Sequence, residues 1–369
     1  MIEKQIIDIL TLKATELWPV DFDKYEKEFN LASLSICIKI IKELGIFKEK
    51  GDSLTFNEIT SKFPISEHGK YILKKILYIL IEDKVLIKDG DYYILDKFPD
   101  IAGVTEILVS LTRRFPEESS SIQWLARASD GMTKIIKGEQ YAEDILFPWS
   151  SFDLVEDVYS NSRIYNFYPQ LGAYTTNILV QTHFQKPVII LEIGAGTGNG
   201  TEPLVNHCGL IEKYIFSDIS KTLIKRSKQK FNQPFFEYKV LDITVDPSAQ
   251  GVDKESIDII YAVNVLHAAN DIKTALNNIY STLKKGGVIL LSEISPPKDT
   301  IYRFMELTFG LLDSYSGYKD KDLRPIAPII RPEAWLKLLN ETGFVECETI
   351  PFGKCPIDDR GGVIIGFKK

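Results

Sequence analysis

Two stretches of this chain carry residues whose types and spacing suit chemistry. The first is Leu191-Glu-Ile-Gly-Ala-Gly-Thr-Gly-Asn-Gly200, which follows an apolar run and precedes a helical pattern. Glycines at such a junction let a ligand approach the backbone closely. A dinucleotide fingerprint would require glycine where Asn199 stands, so the spacing is G-x-G-x-G and suits a single nucleoside. The second is Tyr261-Ala-Val-Asn-Val-Leu-His267, together with Glu293 at the end of a later apolar run. A carboxylate bonded to one imidazole nitrogen fixes the tautomer and leaves the other nitrogen as a base. Such a pair suits removal of a proton from an activated carbon or a hydroxyl.

Two further acids stand where runs end. Asp218 closes the run after the glycine loop, where a carboxylate can accept from both ribose hydroxyls, although alone it would read as a helix cap. Asp242, in Val240-Leu-Asp-Ile243, could accept an adenine amino group while Ile243 packs on the ring; the alternative is a turn residue.

These positions need a scaffold, and from Val188 onward the pattern supplies one. Strands are predicted over 188–193, 213–217, 235–241, 257–262, 288–293, 345–351 and 362–368, with helices between the earlier ones, as in a doubly wound α/β sheet. The last two lack a helix between them and are expected to pair as an antiparallel edge. Residues 1–100 read instead as helices and a hairpin. Leu34, Ile36, Ile40, Ile41 and Leu44 recur near helical period until Gly45, a short helical piece runs from Thr55 to Phe63, and Ile72 to Ile81 form the strongest apolar face. Val85–Ile87 and Tyr92–Leu95 flank a Gly90 turn, which completes a winged-helix-like pattern. Residues 101–180 are mostly helical, with polar breaks at 116–121 and 147–151.

The glycine loop with Glu192 before it is the motif expected of S-adenosylmethionine (SAM) dependent methyltransferases. Taken with EIGAGTGNGTEPL, SDIS, LDI, NVLHA, LKKGGVILLSEIS and ELTFGLL, in that order from about 147 to 344, the chain resembles the methyltransferase domains of modular polyketide synthases. The resemblance implies a Rossmann-like, seven-stranded class I methyltransferase domain over 181–369. It also implies an N-terminal lid, with a winged-helix-like part over 1–100 and a helical connector over 101–180. It further implies His267 as catalytic base partnered by Glu293, and a SAM site built from Glu192, Gly194, Ala195, Gly196, Gly198, Asp218, Ile219, Asp242, Ile243 and Asn264. S-adenosylhomocysteine would be the product. The implied reaction is methylation of the α-carbon of a β-keto thioester on an acyl carrier protein, in a chain that is part of a larger synthase or works beside one. Tyr159, Tyr168 and Phe309 are candidates for the acyl pocket, with core packing as the alternative for the two tyrosines. One departure concerns that pocket: where the family often has Gly-Trp-Trp after FGLL, this chain has Asp313-Ser-Tyr-Ser-Gly-Tyr318.

Composition narrows the alternatives. The net charge is -7, and residues 1–100 contain no arginine and more acids than lysines. Lys70, Lys74 and Lys75 share a helix with Glu82 and Asp83, which reads as a solvated face, so a SAM-sensing DNA regulator is disfavoured. Cys37, Cys208, Cys347 and Cys355 are scattered without paired spacing, and four histidines give no metal-ligand pattern. A reducing, cytoplasmic setting is expected, with no nucleic-acid partner, no membrane span and no metal. His68, His183 and His207 read as surface or capping residues. An O-methyltransferase acting on a β-hydroxyl, an enol or a free small molecule is the competing activity, and a catalytically dead relic the competing non-enzyme.

Overall fold

A computed structural model describes residues 3–298, 300–351 and 360–369; Cys355 lies outside them. The chain forms two compact units. One comprises residues 20–162 and 301–317, the other residues 1–19, 163–300 and 318–369.

In the first unit, the helix Phe22–Leu44 ends at Gly45, whose φ of 71° lets its N–H turn back onto Ile41 and Lys42. There follow β1 (Ser53–Thr55), the helices Phe56–Lys62 and Glu67–Glu82, β2 (Leu86–Asp89) and β3 (Tyr92–Leu95). The three strands pair antiparallel in the order β1-β3-β2, so helices and strands succeed one another as in a winged helix. Thr55 and Glu58 form a reciprocal capping box that starts the first short helix. The expected polar break at 116–121 is narrower than the sequence suggests. Pro116–Glu118 make one 3₁₀ turn, and Ser119, Ser120 and Ser121 already belong to the helix Ser119–Lys137.

The presumed solvated face of Glu67–Glu82 needs correction as well. Lys75 is 5% exposed, and its Nζ lies 2.7 Å from Glu306 Oε2, a carboxylate equally buried. Arg303 donates to Asp83 at 2.7 and 2.8 Å, and His68 Nε2 meets the Leu311 carbonyl at 2.6 Å. One side of this helix is thus committed to the segment 301–317, which is why that segment belongs to the helical unit.

The second unit is built on β4 (Val188–Ile193), β5 (Ile211–Asp218), β6 (Phe236–Val240), β7 (Ile257–Val263), β8 (Leu283–Ile294), β9 (Phe344–Ile350) and β10 (Gly361–Lys368). The order is β6-β5-β4-β7-β8-β10-β9, parallel except for β10, which runs antiparallel to both neighbours. This is the seven-stranded α/β sheet the sequence leads one to expect. The last two strands do pair antiparallel, but only β9 lies at the edge. β10 inserts beside β8, and its Val363-Ile364-Ile365 run, buried on both faces, fits an inner position.

The helix Arg163–Leu179 covers this sheet: Ser292 Oγ donates to the Tyr168 carbonyl at 2.7 Å, and a side chain at Gly172 would strike Tyr261 and Ser292. The sheet unit therefore begins its main run at 163, earlier than the boundary expected at 181. Residues 1–19 join it too, with the Trp18 ring edge-on to Phe167 at 4.9 Å.

Candidate active site

The parallel strands β4, β5, β6, β7 and β8 all end at one edge of the sheet, and the chemistry-bearing residues follow those ends. After β4, Gly194 and Gly196 have φ of 58° and 56°. A Cβ at Gly194 would lie 2.2 Å from Val265 Cγ2, so packing forbids one. At Gly196 a Cβ would meet nothing nearer than 3.8 Å, so here the backbone faces space into which a ligand can come close. Ala195 is buried, and its N–H donates to the Ser217 carbonyl at 2.8 Å, which ties the loop to β5.

At the end of β5, Asp218 is 8% exposed and accepts from Gly196 N–H at 2.9 Å and from Ser220 N–H at 2.7 Å, one bond on each oxygen. Burial raises its carboxyl above the usual range against those two bonds. Each oxygen retains a second acceptor site, so the residue still fits a ribose diol. The neighbouring Ile219 side chain is 68% exposed. After β6, Asp242 Oδ1 closes a turn on Thr244, from its N–H at 2.8 Å and its hydroxyl at 2.6 Å. Ile243 packs partly against the core beneath the sheet. Asn264, at φ 49°, has its side-chain oxygen on Ile294 N–H at 2.7 Å and so ties β7 to β8.

Glu192 turns inward. It is 1% exposed, and one oxygen accepts from Thr201 Oγ at 2.5 Å and from the Tyr214 hydroxyl at 2.7 Å. Burial, opposed by those two bonds, pushes its carboxyl up to about 8. It braces the loop from behind by holding the first residue of the helix Thr201–His207. Neither Thr201 nor Tyr214 is conspicuous in the sequence, although Thr201 directly follows the glycine run.

The second stretch comes together as the sequence suggests. His267 sits in the one-turn 3₁₀ helix Leu266–Ala268 after β7, 3% exposed. Its Nδ1 lies 2.6 Å from Oε2 of Glu293, near the end of β8. The other glutamate oxygen accepts from Val265 N–H at 3.1 Å and Leu266 N–H at 2.9 Å. A carboxylate can only accept, so Nδ1–H donates and Nε2 is left with a lone pair. No residue pattern points to Arg324, whose guanidinium reaches the carbonyls of His267 and Ala269, in and just after this turn.

Of the candidate pocket residues, Tyr168 lies in the sheet unit, fully buried, with its hydroxyl donating to the Arg360 carbonyl at 2.6 Å. Tyr159 and Phe309 lie in the helical unit, ring centroids 6.2 Å apart, and Phe309 also meets Trp124 at 5.6 Å. Burial raises the Tyr159 hydroxyl well above its usual value. His183 and His207 meet the carbonyls of Gly286 and Pro203, and the His183 ring also packs edge-on against Phe184 and Phe367, as structural histidines do. Among the described residues no cluster of three His, Cys, Asp or Glu could hold a metal ion, and no helix is long and apolar enough to cross a membrane. Cys37, Cys208 and Cys347 are free thiols.

Several known proteins are similar to this chain. Residues 191–289 match the family model described as a methyltransferase domain. Polyketide synthase PksR of Bacillus subtilis is 36% identical over 228 residues, covering 59% of this chain and 9% of that protein. Polyketide synthase ThaQ of Burkholderia thailandensis is 32% identical over 222 residues, 57% of this chain and 10% of that protein. This chain thus spans about a tenth of the curated relatives it matches. Among solved structures, the CurJ carbon methyltransferase superposes with a TM-score of 0.90 at 25% identity, over 99% of this chain and 97% of that one. With the glycine loop and the acid at the end of β5, these matches define a SAM-dependent methyltransferase. More particularly, its methyltransferase domain resembles the carbon methyltransferase domains of polyketide synthases.

Proposed function

We propose that the chain methylates the α-carbon of a β-keto acyl thioester carried by an acyl carrier protein, with His267 as the base. The observation that carries this reading is the buried His267–Glu293 contact of 2.6 Å, which leaves Nε2 as proton acceptor at the strand ends bordering the glycine loop. SAM supplies a methyl group already activated on a sulfonium. The chain's own work is to hold that donor, exclude water and remove one proton.

Gly194, Gly196 and Asp218 hold the nucleoside through close backbone approach and a ribose acceptor. Asp242 and Ile243 would border the adenine of a bound SAM, and Ala195, Gly198, Ile219 and Asn264 would shape the surrounding loops. Glu192 holds the loop in place from behind. Nε2 of His267 would take the α-proton, and the electron pair left on carbon would displace the methyl group from the sulfonium, so that the S–CH3 bond breaks as the C–C bond forms and S-adenosylhomocysteine leaves. Glu293, on Nδ1–H, stabilises the imidazolium that results. An α-proton between two carbonyls is acidic enough for an imidazole to remove, which makes a β-keto thioester a suitable acceptor. The relatives' descriptions as polyketide synthases and as a carbon methyltransferase support both the carrier-bound substrate and the carbon acceptor.

The test is mass spectrometry of carrier-bound β-keto and β-hydroxy thioesters incubated with SAM and the chain. A methyl group on the α-carbon of the β-keto substrate is the expected product. A methyl group on oxygen, or methylation of the β-hydroxy substrate alone, would overturn the carbon assignment.

A further inference from the structure

Arg324 is fully buried, at 1% exposure, and among the described residues Lys75, at 5%, is the other lysine or arginine withdrawn from water to that degree. Its Nη1 donates to the His267 carbonyl at 2.6 Å, and its Nη2 to the Ala269 carbonyl at 2.9 Å and, more loosely, to that of Asn270 at 3.5 Å. Asp320 neutralises it, accepting from Nε at 2.8 Å and from Nη2, while the guanidinium carbon stands 4.3 Å from the centre of the Tyr318 ring.

A guanidinium withdrawn from water is costly, and an apolar side chain would fill the space more cheaply. What an apolar side chain lacks is donors. The Val265 and Leu266 carbonyls are taken within the turn by Ala268 N–H and Ala269 N–H, whereas those of His267 and Ala269 stand at its end, where buried carbonyls must find donors from elsewhere. Arginine meets that need with a rigid planar fork, which sets two carbonyls at a fixed spacing where a lysine would offer a single point charge.

The two ends of the turn are therefore held by opposite charges. Glu293 takes the donors in front, the N–H groups of Val265 and Leu266 and the ring Nδ1–H. Arg324 takes the acceptors behind. Asp320 extends the second grip by accepting from Ile272 N–H at 3.1 Å, at the start of the helix Ile272–Thr282, and Lys319 N–H meets the Asn270 carbonyl at 2.8 Å. Either grip alone would leave the turn free to rock about the other.

We infer that Arg324 is a positioning residue for His267: it fixes the backbone that aims Nε2, without touching substrate or cofactor. The inference rests on His267 as the base.

The test is a mutant cycle of Arg324→Gln, His267→Ala and the double variant. It is read by SAM affinity in calorimetry and by turnover of a β-keto acyl thioester of N-acetylcysteamine. Arg324→Gln is expected to lower kcat about 10- to 10²-fold, the usual cost of misplacing a reacting group by about 1 Å, with SAM affinity little changed. In the His267→Ala background the same change is expected to alter kcat by less than about twofold, because a residue that acts through the imidazole has nothing left to position. Equal losses in both backgrounds, turnover at the wild-type level, or SAM affinity falling in step with kcat would overturn the inference. Wild-type turnover in His267→Ala alone would instead overturn the base assignment on which it rests. Should Arg324→Gln fail to fold, Arg324→Lys, which keeps the charge beside Asp320 but cannot span both carbonyls, is read through the same cycle.

Discussion

The loop after β4 and the turn after β7 are each held by a glutamate that is 1% exposed, yet the two carboxylates meet opposite company. Glu192 meets two hydroxyls, of Thr201 and Tyr214. Glu293 meets three N–H groups, two from the backbone and one from an imidazole. Hydroxyls rotate to suit either protonation state of an acid, whereas N–H groups can only donate and so call for a carboxylate. Glu192 is therefore a brace that tolerates being neutral, and Glu293 is an acceptor held between two backbone N–H groups and the imidazole of His267. The same residue type at the same depth braces a glycine loop in one place and an imidazole in the other.

The largest effect should come from breaking the turn. His267→Ala is expected to lower turnover by about 10² to 10⁴, the usual worth of a general base, while SAM binding measured by calorimetry persists. Near-wild-type turnover would remove the histidine from the mechanism. Breaking the loop should divide the two regions the other way. Gly196→Val puts a β-branched side chain at a φ of 56° and fills the open space beside the backbone, so SAM affinity should fall by about 10²-fold or more while the fold survives. Unchanged affinity in the same calorimetric titration would mean that the nucleoside does not approach the loop there.

Both regions were legible in the sequence to different depths. β4, β5, β7 and β10 carry apolar runs, and β6 and β9 alternate apolar with polar residues, so six of the seven strands of the large sheet could be placed within two residues of their observed starts. β8 begins earlier, at Leu283 rather than Val288, because Lys284, Lys285 and two glycines interrupt the apolar pattern there. The three-residue strand β1 left no periodic signal to find. The division of the chain was hidden for another reason. Arg163–Leu179 is an aromatic-rich amphipathic helix whose pattern is the same whichever unit it covers, and the commitment of 301–317 to the helical unit depends on partners more than 200 residues away, such as Lys75 for Glu306. At the site, an acid at a strand end can be read from sequence, but not where its oxygens go. Asp242 closes a turn on Thr244, and Asn264 bridges two strands. Arg324 was invisible because its partner His267 lies 57 residues away, and nothing local marks a loop arginine as buried.

The smallest expected effect sharpens the contrast between the two glutamates. Burial holds the Glu192 carboxyl at about 8 in the folded chain, against an ordinary value of 4.5. An acid whose value is raised by folding contributes stability fully present below the unfolded value and lost as pH rises through the folded one. Over the window from about pH 4.5 to 8, this residue should therefore make the protein progressively less stable as pH rises. Glu192→Gln keeps an oxygen for Thr201 and Tyr214 but cannot ionise, so its melting temperature should fall less than that of the wild type between pH 5 and pH 8.5, each value being about half a unit outside or inside that window. Thermal denaturation of both proteins across the series checks this. Parallel curves would mean that Glu192 is ionised in the folded protein at neutral pH, and that the loop is held by a charge.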